Sequence, residues 1–349
     1  MNAQTLVKFW LVALVALSMT PITINSQAKT GCPKVLKDRT LLPRPKPNVN
    51  WAGCNLSGAV LIDANLARAN LSGANLNRAN MKHANLSQAN LYKVKLSAGL
   101  LDHANLTNAK LTSANLAGTN LSSATLTGVR SGSITGLPLG LPSGTKRWDF
   151  YRGYLIGAGA DLRNAKLTGL NLIRLNLSGA NLAGANLAGA NLSFANLAKT
   201  TLSDANLIGV KSGSITGMPR ELPQDWKMVR GYLIGPGANL IGANLSNSFP
   251  CVVGLACFAD LHGANLTSTN LTHANLRGAY LSNATLTNAN LIGSLLSAAN
   301  LSGSNLTQAN LTGADLSYAD LTSANLTGAN VTNANFFRAT MLYIIGWTE

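Results

Sequence analysis

Residues 178–197 read SGANLAGANLAGANLSFANL, four near-copies of a five-residue phrase. Five is not a period of the α-helix: at about 100° per residue each phrase advances roughly 140°, so Leu182, Leu187, Leu192 and Leu197 would spiral around a cylinder. Asn and Gly in every phrase weaken a helix further. In a flat strand Ala180 and Leu182 share a face, but an odd repeat carries Leu187 to the other side. Both residues stay inside only if the chain turns a corner once per phrase, so that each phrase forms one short side of a closed coil. Periodicity alone leaves the number of sides open.

The phrase A-N-L-x-x, carried through nearly all of the chain after residue 54, resembles that of the pentapeptide-repeat family. The resemblance implies an all-β fold, a right-handed quadrilateral β-helix with four sides and about 20 residues per coil. Central Leu-type positions keep one register from Leu56 to Leu126, a second from Leu162 to Leu207, a short one at Leu240 and Leu245, and a last from Leu261 to Met341. These are 15, 10, 2 and 17 repeats, 44 in all. Four per coil predicts about 11 coils in a stack roughly 50 Å long.

The expected organisation is a signal peptide over 1–28, a basic Pro-rich arm over 29–53, and a first array over 54–128. An insertion over 129–161, a second array over 162–210 and a second insertion over 211–238 follow. A third array covers 239–341, with a Cys-bracketed insertion at 246–258, and a cap covers 342–349. Lys8, the apolar run FWLVALVAL and the small residues Ser26 and Ala28 predict Sec-type export with cleavage after Ala28. The apolar run is too short for a membrane span of about 20 residues. No transmembrane segment is expected in the mature chain, and the periplasm, the thylakoid lumen or the exterior is its expected location.

Export permits disulfides among Cys32, Cys54, Cys251 and Cys257. Three pairings are formally possible, and the local one, Cys32 with Cys54 and Cys251 with Cys257, is favoured because each pair is close in sequence. The first bridge would hold the arm PKVLKDRTLLPRPKPN over the open end of the coil. Two interruptions are themselves related, sharing S-G-S-I-T-G, a following L-P, a Trp and R-G-Y-L-I-G. They resemble segments between the repeat blocks of exported or multidomain cyanobacterial proteins of the same family, which implies a cyanobacterial source. Their Gly and Pro turns and apolar stretches predict hairpin-like excursions beside the coil.

Without residues 1–28 the chain has 26 basic and 12 acidic residues. Residues 29–239 hold 24 basic and 8 acidic groups, whereas 240–349 hold 2 and 4. Some cytosolic relatives resemble DNA by presenting rows of carboxylates. Here Asn fills most of those positions and the charge has the opposite sign, so DNA mimicry is not expected. Nucleic acid is not an expected partner for an exported chain. An anionic envelope polymer, a lipid headgroup or an acidic protein is, with binding that weakens as salt rises. Candidate contacts are Lys34, Lys37, Arg39, Arg44, Lys46, Arg68, Arg78, Lys93 and Lys95.

Positions 20 apart are expected to stack. Asp63, His83 and His103 form one such row and are candidate ligands for zinc or copper. Thr267, Thr287, Thr307 and Thr327 form another, a candidate ice-binding row, although Thr is also a common strand residue. No cofactor is expected. Enzymes built on β-helices need clustered acids, and the 12 carboxylates here are scattered and no G-x-S-x-G motif occurs. The expected role is therefore a non-enzymatic structural or interaction module, the rival being an envelope carbohydrate-active β-helix enzyme.

Overall fold

The computed structural model describes residues 31–144, 147–246 and 259–347. The predicted signal peptide, Cys251, Cys257 and nearly all of the insertion they bracket lie outside the described residues. Met1–Cys32 and Pro33–Glu349 are separate units. Among the described residues no helix is long and apolar enough to cross a membrane.

The five-residue phrase makes a corner because each of its N–H groups has a fixed destination. In the phrase from Asn55 to Ala59, Ala59 donates to Leu56 O at 3.1 Å, closing a four-residue turn. Gly58 has φ +68° at the third turn position, the pattern of a type II turn. The Ser57 N–H goes to the Asn55 side-chain Oδ1 at 3.3 Å. The remaining three leave the coil: Leu56 to Asn75 O, Gly58 to Asn77 O, and, one coil on, Asn75 to Cys54 O. Asn is thus the recurrent residue because its side chain satisfies the one donor that neither turn nor ladder reaches. Non-Gly residues at the third turn position also hold positive φ, Asp63, Arg68, His83 and Lys93 among them.

Parallel bridges between residues 20 apart, such as Asn65↔Asn85↔Asn105, stack the coils into a right-handed quadrilateral β-helix. Leu56, Leu66, Leu187 and their equivalents are fully buried along the axis, with Ala69, Ala185 and their equivalents filling the space between. That interior is a strip of buried Leu and Ala running the length of the column, as periodicity predicts.

The interruptions do not divide the column. Arg130 pairs with Asp161, Lys211 with Asn239 and Asn239 with Asn270, so single coils are enlarged by 11, 8 and 11 residues and the stack continues. With those 30 residues set aside, the 296 residues from Asn50 to Ile345 make about thirteen coils, against eleven expected. The difference arises because S-G-S-I-T-G is itself coil: Thr135 pairs with Asn115, and Thr216 with Asn196.

The excursions are hairpins. Two short strands precede them in the arm, β1 (Lys34–Val35) and β2 (Leu41–Leu42), paired antiparallel. In the first excursion β3 (Asp149–Tyr151) pairs with β4 (Tyr154–Ile156). In the second β5 (Lys227–Val229) pairs with β6 (Tyr232–Ile234). Their shared residues are accounted for by packing. Leu155 N–H donates to Ser131 Oγ and Leu233 N–H to Ser212 Oγ, both at 3.0 Å. Tyr154 OH accepts from Lys166 N–H and Tyr232 OH from Asn244 N–H, both at 3.1 Å. A Cβ on Gly157 would come within 2.4 Å of Trp148, and one on Gly235 within 2.3 Å of Trp226, which explains the terminal Gly of R-G-Y-L-I-G.

Both ends depart from the expected limits. The column begins at Asn50, within the expected arm, with Trp51 buried at a central position. The arm supplies an acceptor to the first coil, whose Val60 N–H donates to Arg39 O at 2.8 Å, so this edge is covered. At the other end the ladder runs to Ile345, past the expected start of a cap at residue 342. Large side chains of the last coil close the stack: Phe336 and Trp347 meet edge to face at 5.1 Å beneath the final Leu layer.

Candidate binding surface

The nine candidate cations are all exposed, but four-sided geometry disperses them. Residues ten apart lie on opposite corners, so Arg68 and Arg78 face away from each other. Lys93 occupies a third corner and the Asp63, His83, His103 row the fourth. Lys95 stands in an Asn slot between Asn75 and Asn115. Lys34, Lys37, Arg39, Arg44 and Lys46 belong to the arm. An open cleft of about 590 Å³ lies between the arm and the first coil, lined by Arg44, Asp38, Ile62 and Asp63 among others.

The His row exists as a stack of rings. His83 and His103 lie 5.0 Å apart with planes 27° from parallel. A ring-on-ring stack at this separation is not a chelating arrangement, in which both imidazoles place a nitrogen about 2.0–2.1 Å from one ion. Among the described residues no three His, Cys, Asp or Glu side chains are placed to hold a metal ion. The carboxylate that engages this row is Asp102, whose Oδ2 is 3.7 Å from His103 Nδ1 and 3.5 Å from Lys82 Nζ. The metal expectation for Asp63, His83 and His103 is corrected accordingly.

The Thr row also stacks, but its hydroxyls are partly used locally. Thr307 and Thr327 donate to Asn305 and Asn325 Oδ1 at 2.6 and 2.7 Å, reinforcing the turn. Cys32 and Cys54 are both disulfide-bonded.

A feature that sequence reading missed lies where the first hairpin rejoins the column. Lys110 and Arg130 occupy Asn slots of successive coils, directly paired in the ladder Asn90↔Lys110↔Arg130↔Asp161. They border an open cleft of about 500 Å³ together with Tyr92, Tyr154 and Arg163. Burial pushes the Asp161 carboxyl up, but hydrogen bonds from the Arg163 side chain and backbone outweigh it, and the charges of Arg163 and Arg130 add to them. The net effect holds it below the ordinary Asp value. Arg163 grips Asp161 with two bonds of 2.9 and 2.7 Å. The signal was present in A-K-L at 109–111 and V-R-S at 129–131, where basic residues replace Asn at a spacing of 20.

A closed column of hydrogen-bonded corners with a Leu and Ala interior defines a β-solenoid repeat protein. The model of the family described as pentapeptide repeats matches in 8 copies at residues 54–91, 89–128, 158–182, 176–211, 259–297 and 299–336. These spans cover more than half of the chain, which belongs to that family. Among solved structures, HetL, a pentapeptide repeat protein involved in heterocyst differentiation regulation from the cyanobacterium Nostoc sp., is 25% identical. That alignment covers 83% of this chain and 85% of HetL, with a TM-score of 0.22. A pentapeptide repeat protein of the Arabidopsis thaliana thylakoid lumen is 28% identical over 29% of this chain and 59% of its own, TM-score 0.22. Rfr23 from the cyanobacterium Cyanothece 51142 is 34% identical over 31% and 86%, TM-score 0.17. No curated protein matches the chain.

Proposed function

We propose that this protein is an exported, non-enzymatic scaffold whose basic N-terminal portion binds an anionic partner of the envelope or lumen. Members of the family are generally non-enzymatic scaffold and interaction proteins, which supports this reading. The observation that carries the binding reading is the excess of 24 basic over 8 acidic residues in 29–239, with all nine candidate cations exposed. Export rests on the N-terminal pattern ending at Ala28, and a cyanobacterial periplasm or thylakoid lumen fits it. The partner class is an anionic polymer, a lipid headgroup or an acidic protein surface, and long-range attraction brings it to the column.

Retention of the mature chain on immobilised anionic polymer and on vesicles containing acidic lipid, measured between 20 mM and 500 mM salt, tests the reading. Retention should fall steeply over this range. It should weaken when Lys34, Lys37, Arg44 and Lys46 are changed together to Glu. Salt-independent retention, or none on any anionic matrix, would refute it. Mass measurement of the secreted chain should give an N-terminus at Lys29.

A further inference from the structure

The cleft at the first hairpin carries a more specific assignment. Lys110 and Arg130 are neighbours in one ladder, a strand spacing of about 4.8 Å apart. Like charges directly opposite one another destabilise a sheet, and the same ladder elsewhere places Asn on Asn, with Asn90 donating to Asn70 at 3.2 Å. Among the described residues neither Lys110 nor Arg130 makes a carboxylate salt bridge; Asp161, which feels the Arg130 charge, is bonded by Arg163. Three cations, Lys110, Arg130 and Arg163, therefore line a cleft whose nearby carboxylate, Asp161, is held by Arg163, leaving a surplus of positive charge. Tyr92, 41% exposed, lines it, with the Lys93 ammonium over its ring, 5.1 Å from the centroid. Tyr154 stands on the hairpin side, anchored through its hydroxyl to Lys166 N–H.

The second hairpin is an internal control. Its scaffold contacts repeat those of the first: Ser212 to Leu233, Tyr232 to Asn244, and Gly213 closely approached by Tyr232 as Gly132 is by Tyr154. The equivalents of Tyr92, Lys110 and Arg163 are Ile173, Asn191 and Ile241. The junction folds without the aromatic ring and without two of the three cations, so these side chains are not required by the hairpin's architecture.

We propose that the cleft bordered by Tyr92, Lys110, Arg130 and Tyr154 binds an acidic sugar residue, a ring bearing a carboxylate or sulfate group. The two cations take the oxyanion through charge-assisted hydrogen bonds, relieving their mutual repulsion. Tyr92 stacks on the apolar face of the ring, which gives a preference for a sugar oxyanion over a bare ion. This deepens the reading of a basic exported scaffold by naming a ligand class and a site distinct from the arm.

The test is isothermal titration calorimetry of the full mature chain in low salt with four ligands: an oligogalacturonate, a sulfated oligosaccharide, inorganic sulfate, and a single-stranded oligonucleotide. Lys110→Asn with Arg130→Asn restores the ladder residue found elsewhere, so the double variant should melt no lower than the parent while losing about tenfold or more in affinity for the acidic sugars. Tyr92→Ile should weaken the sugars and leave inorganic sulfate unchanged. The arm variant with Lys34, Lys37, Arg44 and Lys46 changed to Glu should bind the oligosaccharides as the parent does. Undiminished binding by the double variant overturns the site. Inorganic sulfate as tight as the sugars overturns the sugar class, and tighter binding of the oligonucleotide overturns the glycan assignment. If the arm variant loses binding while the double variant keeps it, the cleft fails and the general basic scaffold stands.

Discussion

Leu207 and Ile208 are consecutive residues of similar size, and the coil separates them completely. Leu207 is 1% exposed on the axis, whereas Ile208, in the turn that follows, is 60% exposed. Truncation of either to Ala removes three carbon atoms, so burial alone separates the two costs. At Leu207 the lost transfer energy is about 2.4 kcal/mol, at roughly 0.8 kcal/mol for each buried carbon. A cavity contribution adds to it, since Val210 N–H is bonded to Leu207 O and Lys211 N–H to Ala190 O, which keeps the wall from collapsing. The expected cost of Leu207→Ala is therefore about 3–4 kcal/mol. Ile208→Ala should cost about 0.5 kcal/mol or less, because its Asn206 bond uses only the backbone N–H. Stacked repeats need not unfold in one step. Denaturant titration followed by tryptophan fluorescence should therefore be combined with hydrogen exchange of the amides around residue 207. Equal effects of the two substitutions, or a larger one at Ile208, would refute the axial placement of leucine.

Other consequences can be checked on the same scale. Asn191→Ala removes the Oδ1 that accepts the Ser193 N–H at 3.0 Å and should lower stability by about 1 kcal/mol, whereas Asn191→Asp keeps the acceptor and should melt near the parent. Gly189 has φ +65° and open space around a Cβ, so Gly189→Val should be clearly more destabilising than Gly189→Asn in thermal melts, the cost being conformational and not steric. Asp161 has a folded pKa below its unfolded value, so its contribution to stability is complete above about pH 4 and is lost as pH falls through the folded value. Unfolding titrations of Arg163→Gln should show a shallower loss of stability with acid than the parent, and identical profiles would contradict the pair.

Much of the fold was open to inspection in the chain because every interior position is set by local corner geometry. The Leu and Ala of each phrase, and the row in which His83 follows Asp63, need only the period and the coil length. What lay beyond that reading depended on neighbours in the stack. His83 and His103 stack ring on ring, although spacing alone had suggested a shared ligand. The candidate cations were chosen for sequence density in the arm and first array, yet four-sidedness placed Arg68 and Arg78 on opposite corners.

The amino-acid order by itself determined the repeating corner, the buried leucine axis and the polarity of charge along the column, because each arises within five or twenty residues. Only the tertiary structure decided that the interrupted arrays form one ladder. It alone paired Arg130 with Asp161, thirty-one residues away. The physical reason is that an enlarged coil keeps the hydrogen-bond register of its neighbours regardless of the length of its detour. That length cannot be divided between coil and hairpin until the chain has closed on the layer beneath.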